Sequence, residues 1–334
     1  MVNQSFRILV DGVTVLTRGL PWQADKREHM DYLRQLGQWV TVVIAGLLSA
    51  CQPASKEVPL QYSQAPTQAS VPIYRLAVHP LYKPQLLAAA YQPLIDHLNT
   101  QLPNARLELE ASRDYQSFEK KYASRASAFL LPNPWQTLQA IAHGYHVIAM
   151  AGDAKDFKGI FIVRRDSSIK LPADLKGKVV SYPSPTALAA CIMPQYFLHT
   201  QGIDVQRDIR NVYVGSQESS IMNVYLGQAA AGAIWPQPWR LFQKDYPKEA
   251  ADLKVMWETE SLVNNSVMVR DDVPAGVRAQ VQSGLLSLSQ TPAGQAVLAG
   301  MFTASFQPAD DATYDVVARY VKRFEQEVRP VERP

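Results

Sequence analysis

From residue 73 onward, short apolar runs rich in β-branched residues alternate with segments whose apolar residues recur at helical spacing. That alternation most limits what the chain can fold into, because strands separated by helix-length crossovers pair in parallel within an α/β layer structure. The first series predicts strands over 74–78, 106–111, 127–131 and 147–151. Helices over 84–98, 115–123 and 134–143 separate them, and an apolar strand over 158–164 leads to a polar corner ending at Pro172. A second series follows, with strands over 178–181, 211–214, 231–235 and 253–257 and helical segments over 187–199, 217–226 and 239–244. A strand over 265–270 matches the 158–164 strand in length and character, and the tail from 275 to 328 is mostly helical, broken at Pro292 and Pro308.

Two α/β series with one pair of strands leaving and re-entering the first predict a bilobed clamshell. Residues 73–163 plus 263–330 make lobe one and residues 164–262 make lobe two, with the two crossing strands as the hinge. No internal repeat is visible, so the lobes need not be duplicates.

Strand-to-helix junctions recur at His79-Pro80-Leu81-Tyr82, Pro132-Asn133-Pro134-Trp135, Ser184-Pro185-Thr186 and Gly215-Ser216-Gln217-Glu218. Asn133 and Ser184 each precede a Pro, and Ser216 precedes Ser219 by three residues, which are helix-start signatures. A capped helix start turns backbone N–H groups and a partial positive charge outward, a seat for an anion. In open α/β sheets, ligands bind beyond the carboxyl ends of the strands, where such junctions lie. Each cap taken singly only stabilises its own helix; several aimed into one interlobe gap make a site. The candidate site is therefore His79, Tyr82, Asn133, Trp135, Ser184, Thr186, Ser216, Gln217 and Trp235. Hydroxyl donors come from lobe two, and Tyr82 and Trp135 form aromatic walls in lobe one. Trp235 ends a strand, where it could stack on a ligand or equally pack against the following turn.

The 334 residues suffice for two cores, and a net charge of +3 without any basic block argues against nucleic acid as a partner. The first fifty residues differ. An apolar run over 39–48 is of signal-peptide length, with Arg34 just before it, and ends in Leu48-Ser49-Ala50-Cys51. Small residues before a Cys resemble a bacterial lipobox, so Cys51 is expected to be lipidated as the mature N-terminus and to anchor the chain to the cell-envelope membrane. The alternative is an N-terminal membrane helix with an incidental Cys. Met30 stands where such a leader would begin, so residues 1–50 are read as leader, with 1–29 an over-extended start, and 51–72 as a flexible tether. Cys191 then has no partner, and no CxxC, His-rich or HExxH pattern suggests a metal. No GxSxG, P-loop or GxGxxG motif follows a strand, so neither an enzyme nor a cofactor is expected.

These segments resemble the phosphate/phosphite/phosphonate-type solute-binding proteins of bacterial ABC importers. The likeness is carried by Ala77-Val78-His79-Pro80 with Tyr91-Gln92-Pro93-Leu94, Leu131-Pro132-Asn133-Pro134-Trp135, and Asp174-Leu175-Lys176-Gly177-Lys178 running into 181–186. Val214-Gly215-Ser216-Gln217-Glu218 and the stretch 227–232 complete it, so that it spans about residues 73–328 in order. The resemblance implies the α/β type II periplasmic-binding-protein fold and capture of a small anion by a monomer. Delivery would be to an ABC permease and ATPase, or, in a sensing variant, to a histidine kinase. The family's Ser-Thr-Ser run reads Pro185-Thr186-Ala187 here, and Gln217 replaces a frequent His. Ala230 stands where many members carry an Asp that holds a substrate amine, so an ammonium-bearing ligand is not expected.

Overall fold

The computed structural model describes residues 71–152 and 154–332; the leader, Cys51 and the tether up to residue 70 lie outside the described residues. In chain order come β1 (Ile73–Val78), α1 (Pro84–Asn99), β2 (Arg106–Glu110), α2 (Tyr115–Ala123), β3 (Phe129–Leu131), α3 (Pro134–Ile141) and β4 (Tyr145–Ala151). Next are β5 (Lys158–Arg164), β6 (Val179–Tyr182), a π-helical turn (Leu188–Ile192) running into α4 (Met193–Thr200), β7 (Arg210–Tyr213) and α5 (Gln217–Tyr225). β8 (Ala231–Ile234), α6 (Pro236–Asp245), α7 (Pro247–Ala251) and β9 (Leu253–Ser261) complete the middle of the chain. The last part holds β10 (Ser266–Arg270), α8 (Ala275–Ser287), α9 (Pro292–Gly300), β11 (Phe306–Gln307) and α10 (Asp315–Glu327).

The strands form two mixed sheets, ordered β11-β4-β10-β3-β1-β2 and β7-β6-β8-β5-β9. In the first, β1 pairs in parallel with β2 and β3, while the returning β10 is antiparallel to β3 and β4. In the second, β6 pairs in parallel with β7 and β8, and β5 is antiparallel to β8 and β9. The α/β two-lobe architecture expected from the sequence is present.

The crossing point differs from the expected one. β5 lies wholly inside the five-stranded sheet, bonded to β8 on one side and β9 on the other, so lobe two begins before residue 158. The physical reason is burial. Gly159-Ile160-Phe161-Ile162-Val163 is buried throughout, which suits an interior strand flanked by helices and not a thin span between lobes. The chain instead crosses near residues 154–157 and returns near 262–265. One large apolar cluster surrounds the first sheet and two smaller ones flank the second. The large cluster also takes in Leu188, Ala189, Ile192 and Met193, so the turn ahead of α4 packs onto the first lobe.

Local chemistry explains the helix starts that matter. Asn133 closes a capping box on α3, accepting from Trp135 N at 2.9 Å and Gln136 N at 3.1 Å, while Gln136 Oε1 accepts from Asn133 N. Asp114 caps α2 and Ser216 caps α5 through the N–H three residues on. The Ser184-Pro185 start behaves otherwise. Residues 184–187 form a tight turn closed by Ala187 N donating to Ser184 O, a role in which Pro at the second position is as well suited as at a helix start. Helix begins only at Leu188, with bonds from Ile192 N to Ala187 O and from Met193 N to Leu188 O. The ladder there runs one residue wide, and Pro194 in the next turn has no N–H to offer the carbonyl of Ala190.

Candidate functional site

The junctions converge on a small cavity between the sheets. The first lobe supplies His79 after β1, Asn133 at the cap of α3 and Tyr115 at the start of α2. The crossing segments add Phe157 and Asn265, and the second lobe adds the backbone of Ala187 to Ala190, Gln217 at the start of α5, and Trp235 ahead of α6. The free space among them is about 10 Å³, close to what one water needs.

The wide turn is the cavity's positive wall. Because its first internal bond reaches back five residues, the N–H groups of Leu188, Ala189, Ala190 and Cys191 have no acceptor within the helix. Gly159 allows this turn to press against β5: a Cβ there would sit 2.5 Å from Ala189 O and 2.8 Å from Pro194 Cγ. Opposite lies His79, only 2 % exposed, whose Nδ1–H donates to Leu131 O at 2.8 Å. Burial pulls its pKa down to about 4 against the smaller opposing effect of that hydrogen bond, so the ring is neutral. Gln217 Nε2 lies 3.1 Å from the Tyr115 hydroxyl, and burial holds that hydroxyl well above the ordinary tyrosine range. Gln217 Oε1 and Asn265 Oδ1 are buried without a partner. A buried amide oxygen left unpaired costs about 1–3 kcal/mol, so two in one cavity mark a place built for something polar. None of the residues lining this cavity carries a formal charge.

Of the residues expected at the site, His79, Asn133, Gln217 and Trp235 are thus brought together. Thr186 and Ser184 instead border a separate hollow beside Glu119 and Lys120. The Thr186 hydroxyl donates to Glu119 Oε1 at 2.6 Å and accepts from Ser184 Oγ at 2.9 Å, and Gln136 Nε2 also donates to that carboxylate oxygen. Burial raises the Glu119 pKa, and the Thr186 and Gln136 donors partly offset it. Asn133 Nδ2 donates to Thr186 O at 3.2 Å, so Thr186 is gripped across the lobes by side chain and backbone together. Ser216 is occupied with Ser219, whose N–H it accepts at 3.1 Å. Tyr82 packs with Leu81, Pro238 and Phe242 in an apolar niche, and Trp135 is 1 % exposed in the first lobe's core. Near that niche Lys83 pairs with Glu218 at 2.5 Å, a charge contact between α5 and the approach to α1.

Tyr115, Phe157 and Asn265 were not anticipated. Tyr115 carried a readable signal, since Asp114-Tyr115 is a capped junction of the same kind as the others. Phe157 and Asn265 carried none, because they arrive from the crossing segments. Ala230 precedes β8 at the end opposite Trp235 and does not line the cavity, so its missing carboxylate says nothing about a ligand's amine. Among the described residues, no group of three or more His, Cys, Asp and Glu side chains is placed to hold a metal ion.

The sequence pattern of the family described as ABC transporter, phosphonate, periplasmic substrate-binding protein matches residues 76–314. The chain belongs to this family. It is a family of transport substrate-binding proteins and not of enzymes. A curated relative, the probable ABC transporter phosphite binding protein PhnD1 of Prochlorococcus marinus (strain MIT 9301), is 26% identical over 181 residues, covering 50% of this chain and 61% of its own. Among solved structures, a binding protein component of an ABC phosphonate transporter from Pseudomonas aeruginosa superposes with a TM-score of 0.71 at 15% identity, covering 77% of this chain and 87% of that one. PhnD1 of Prochlorococcus marinus (MIT 9301) in complex with methylphosphonate gives a TM-score of 0.69 at 20% identity, over 76% and 98% of the two chains. The alkanesulfonate-binding protein SsuA of Xanthomonas axonopodis pv. citri bound to MOPS gives 0.52 at 16% identity, over 78% and 84%. The phosphonate-binding family is periplasmic, and among the described residues no helix is long and apolar enough to cross a membrane.

Proposed function

We propose that this chain captures a small oxyanion of the phosphonate or phosphite class between its lobes, in the cell envelope, and presents it to an ABC permease and ATPase. The observation that carries this reading is one cavity lined by Leu188 to Ala190 of the wide turn, whose N–H groups have no acceptor within the helix, and by Gln217 and Asn265, whose amide oxygens are buried without a partner. Backbone donors at a helix start stabilise an oxyanion, and buried amides can turn to offer N–H or C=O as the ligand requires. Trp235 and Phe157, with ring centroids 5.5 Å apart, supply an apolar flank for a carbon substituent. A cavity of about 10 Å³ admits a ligand only if the lobes part, so capture is a hinge motion about residues 154–157 and 262–265. Interlobe contacts at Thr186 and Lys83 then hold the closed form. No feature of the described residues favours a sensor kinase as partner.

A thermal-shift series tests this. Methylphosphonate and phosphite are expected to raise the melting temperature progressively with their concentration, and sulfate to do so less. No shift with any phosphorus oxyanion refutes the reading. We also propose that Cys51 carries the lipid anchor: metabolic labelling with a palmitate analogue should mark the wild-type chain and leave Cys51→Ser unmarked.

A further inference from the structure

We infer that the cavity selects a singly protonated oxyanion, R–PO₃H⁻, whose hydroxyl donates to Nε2 of His79, so that capturing the dianion takes up one proton from solvent. The inference rests on the proposed function and deepens it.

The argument begins with the imidazole. Leu131 O can only accept, so the ring proton sits on Nδ1, and Nε2 is left as a lone-pair acceptor in a residue that lines the cavity. Gln217 and Asn265 can exchange donor for acceptor by turning their amides, but the Leu131 carbonyl denies His79 that choice. An unprotonated ligand oxygen facing Nε2 would set two lone pairs against each other.

The charge balance of the site agrees. None of its lining residues is charged, so a dianion would be desolvated against partial charges only. The carboxylates beside the cavity on α2 and α5 are committed elsewhere. On α2, Glu119 is bonded to Thr186 and Gln136, and on α5, Glu218 is bonded to Lys83 and Tyr246. Asp156 and Arg240 line an adjoining hollow that shares Trp235 and Asn265 with the cavity. The groups that face the ring itself are Tyr115 and Phe118 of α2, and burial keeps the Tyr115 hydroxyl protonated through the physiological range. Burial likewise keeps His79 from supplying the proton itself near neutrality.

Calorimetry with the whole chain tests the inference, with methylphosphonate and methanesulfonate as probes. The two have nearly the same shape, but the sulfonate is a monoanion with no proton to donate. Above the phosphonate's second ionisation, its affinity should fall about tenfold per pH unit, with uptake of one proton seen as a dependence of the heat on buffer ionisation. Methanesulfonate should bind at least about 30-fold more weakly below that pH, without pH dependence. In His79→Gln, which can turn an N–H toward the oxygen, the gap between the probes should close and proton uptake disappear. The wild-type comparison stands by itself if that variant does not fold. Equal affinities for the two probes, or a phosphonate affinity unchanged across its second ionisation, overturn the inference and leave oxyanion capture intact. Binding of neither probe at any pH overturns both.

Discussion

Gly159→Ala is expected to weaken phosphonate binding by about a hundredfold or more and to cost about 1–3 kcal/mol of stability. The new methyl would fall 2.5 Å from Ala189 O and 2.8–2.9 Å from the Pro194 ring, and neither neighbour is the free end of a flexible side chain. One belongs to backbone and the other to a ring at the junction of the wide turn with α4. The turn must therefore move off β5, and with it the backbone of Leu188 to Ala190 that lines the cavity. Binding is more sensitive than folding, because a displacement of about half an ångström already spoils a hydrogen-bonded seat. Gly276→Ala on the exposed start of α8 is the control. Nothing lies within 4 Å of its added methyl, and replacing a helical Gly should raise stability by about 0.5–1 kcal/mol without changing affinity. Calorimetric affinity and melting temperature on both variants decide the matter. A Gly159→Ala protein that binds like wild type would show that the wide turn does not hold the ligand.

Asn133→Asp is expected to separate folding from closure. Asparagine here has two duties: its Oδ1 caps α3 through Trp135 N and Gln136 N, and its Nδ2 donates to Thr186 O across the lobes. Aspartate caps a helix as well as asparagine and suits the positive end of its dipole. Its second oxygen, however, would meet the Thr186 carbonyl, two acceptors face to face beside the buried Glu119 carboxylate. In the open form that oxygen is hydrated, so the penalty falls on closure. Ligand-free melting should stay within about 1 kcal/mol of wild type, while affinity drops roughly 30- to 150-fold, the worth of about 2–3 kcal/mol. Asn133→Ala should lose both stability and affinity. If aspartate and alanine lower stability alike and leave affinity unchanged, Asn133 is only a cap.

Much of the architecture was readable along the chain. α2 was expected over 115–123 and spans Tyr115–Ala123, and β1, β5 and α1 fall within a residue of their expected bounds. The caps at Asn133 and Ser216 were legible because a short polar side chain with a suitable partner three residues on has few other local uses. The site was only partly legible. Trp135 and Trp235 both sit at strand-to-helix junctions, yet the first, in the opening turn of α3, is sealed in the core, and the second, directly after β8, lines the cavity. Thr186 shows the same limit. The resemblance placed its hydroxyl on a ligand, but the 184–187 turn aims it at Glu119, a residue 67 positions away in the chain.

The sequence alone determined the order of strands and helices, the parallel pairing of β1 with β2 and β3 and of β6 with β7 and β8, and the presence of polarised helix starts, because those follow from strands and crossovers that are neighbours along the chain. Only the tertiary structure decided which junction residues look into the shared cavity, that β5 belongs to the second lobe, and that Asn265 and Phe157 complete the walls. Those outcomes turn on contacts such as Gly159 against Ala189 O or Asn133 against Thr186 O. They exist only once two distant stretches are packed to within a few ångströms, and no local pattern encodes them.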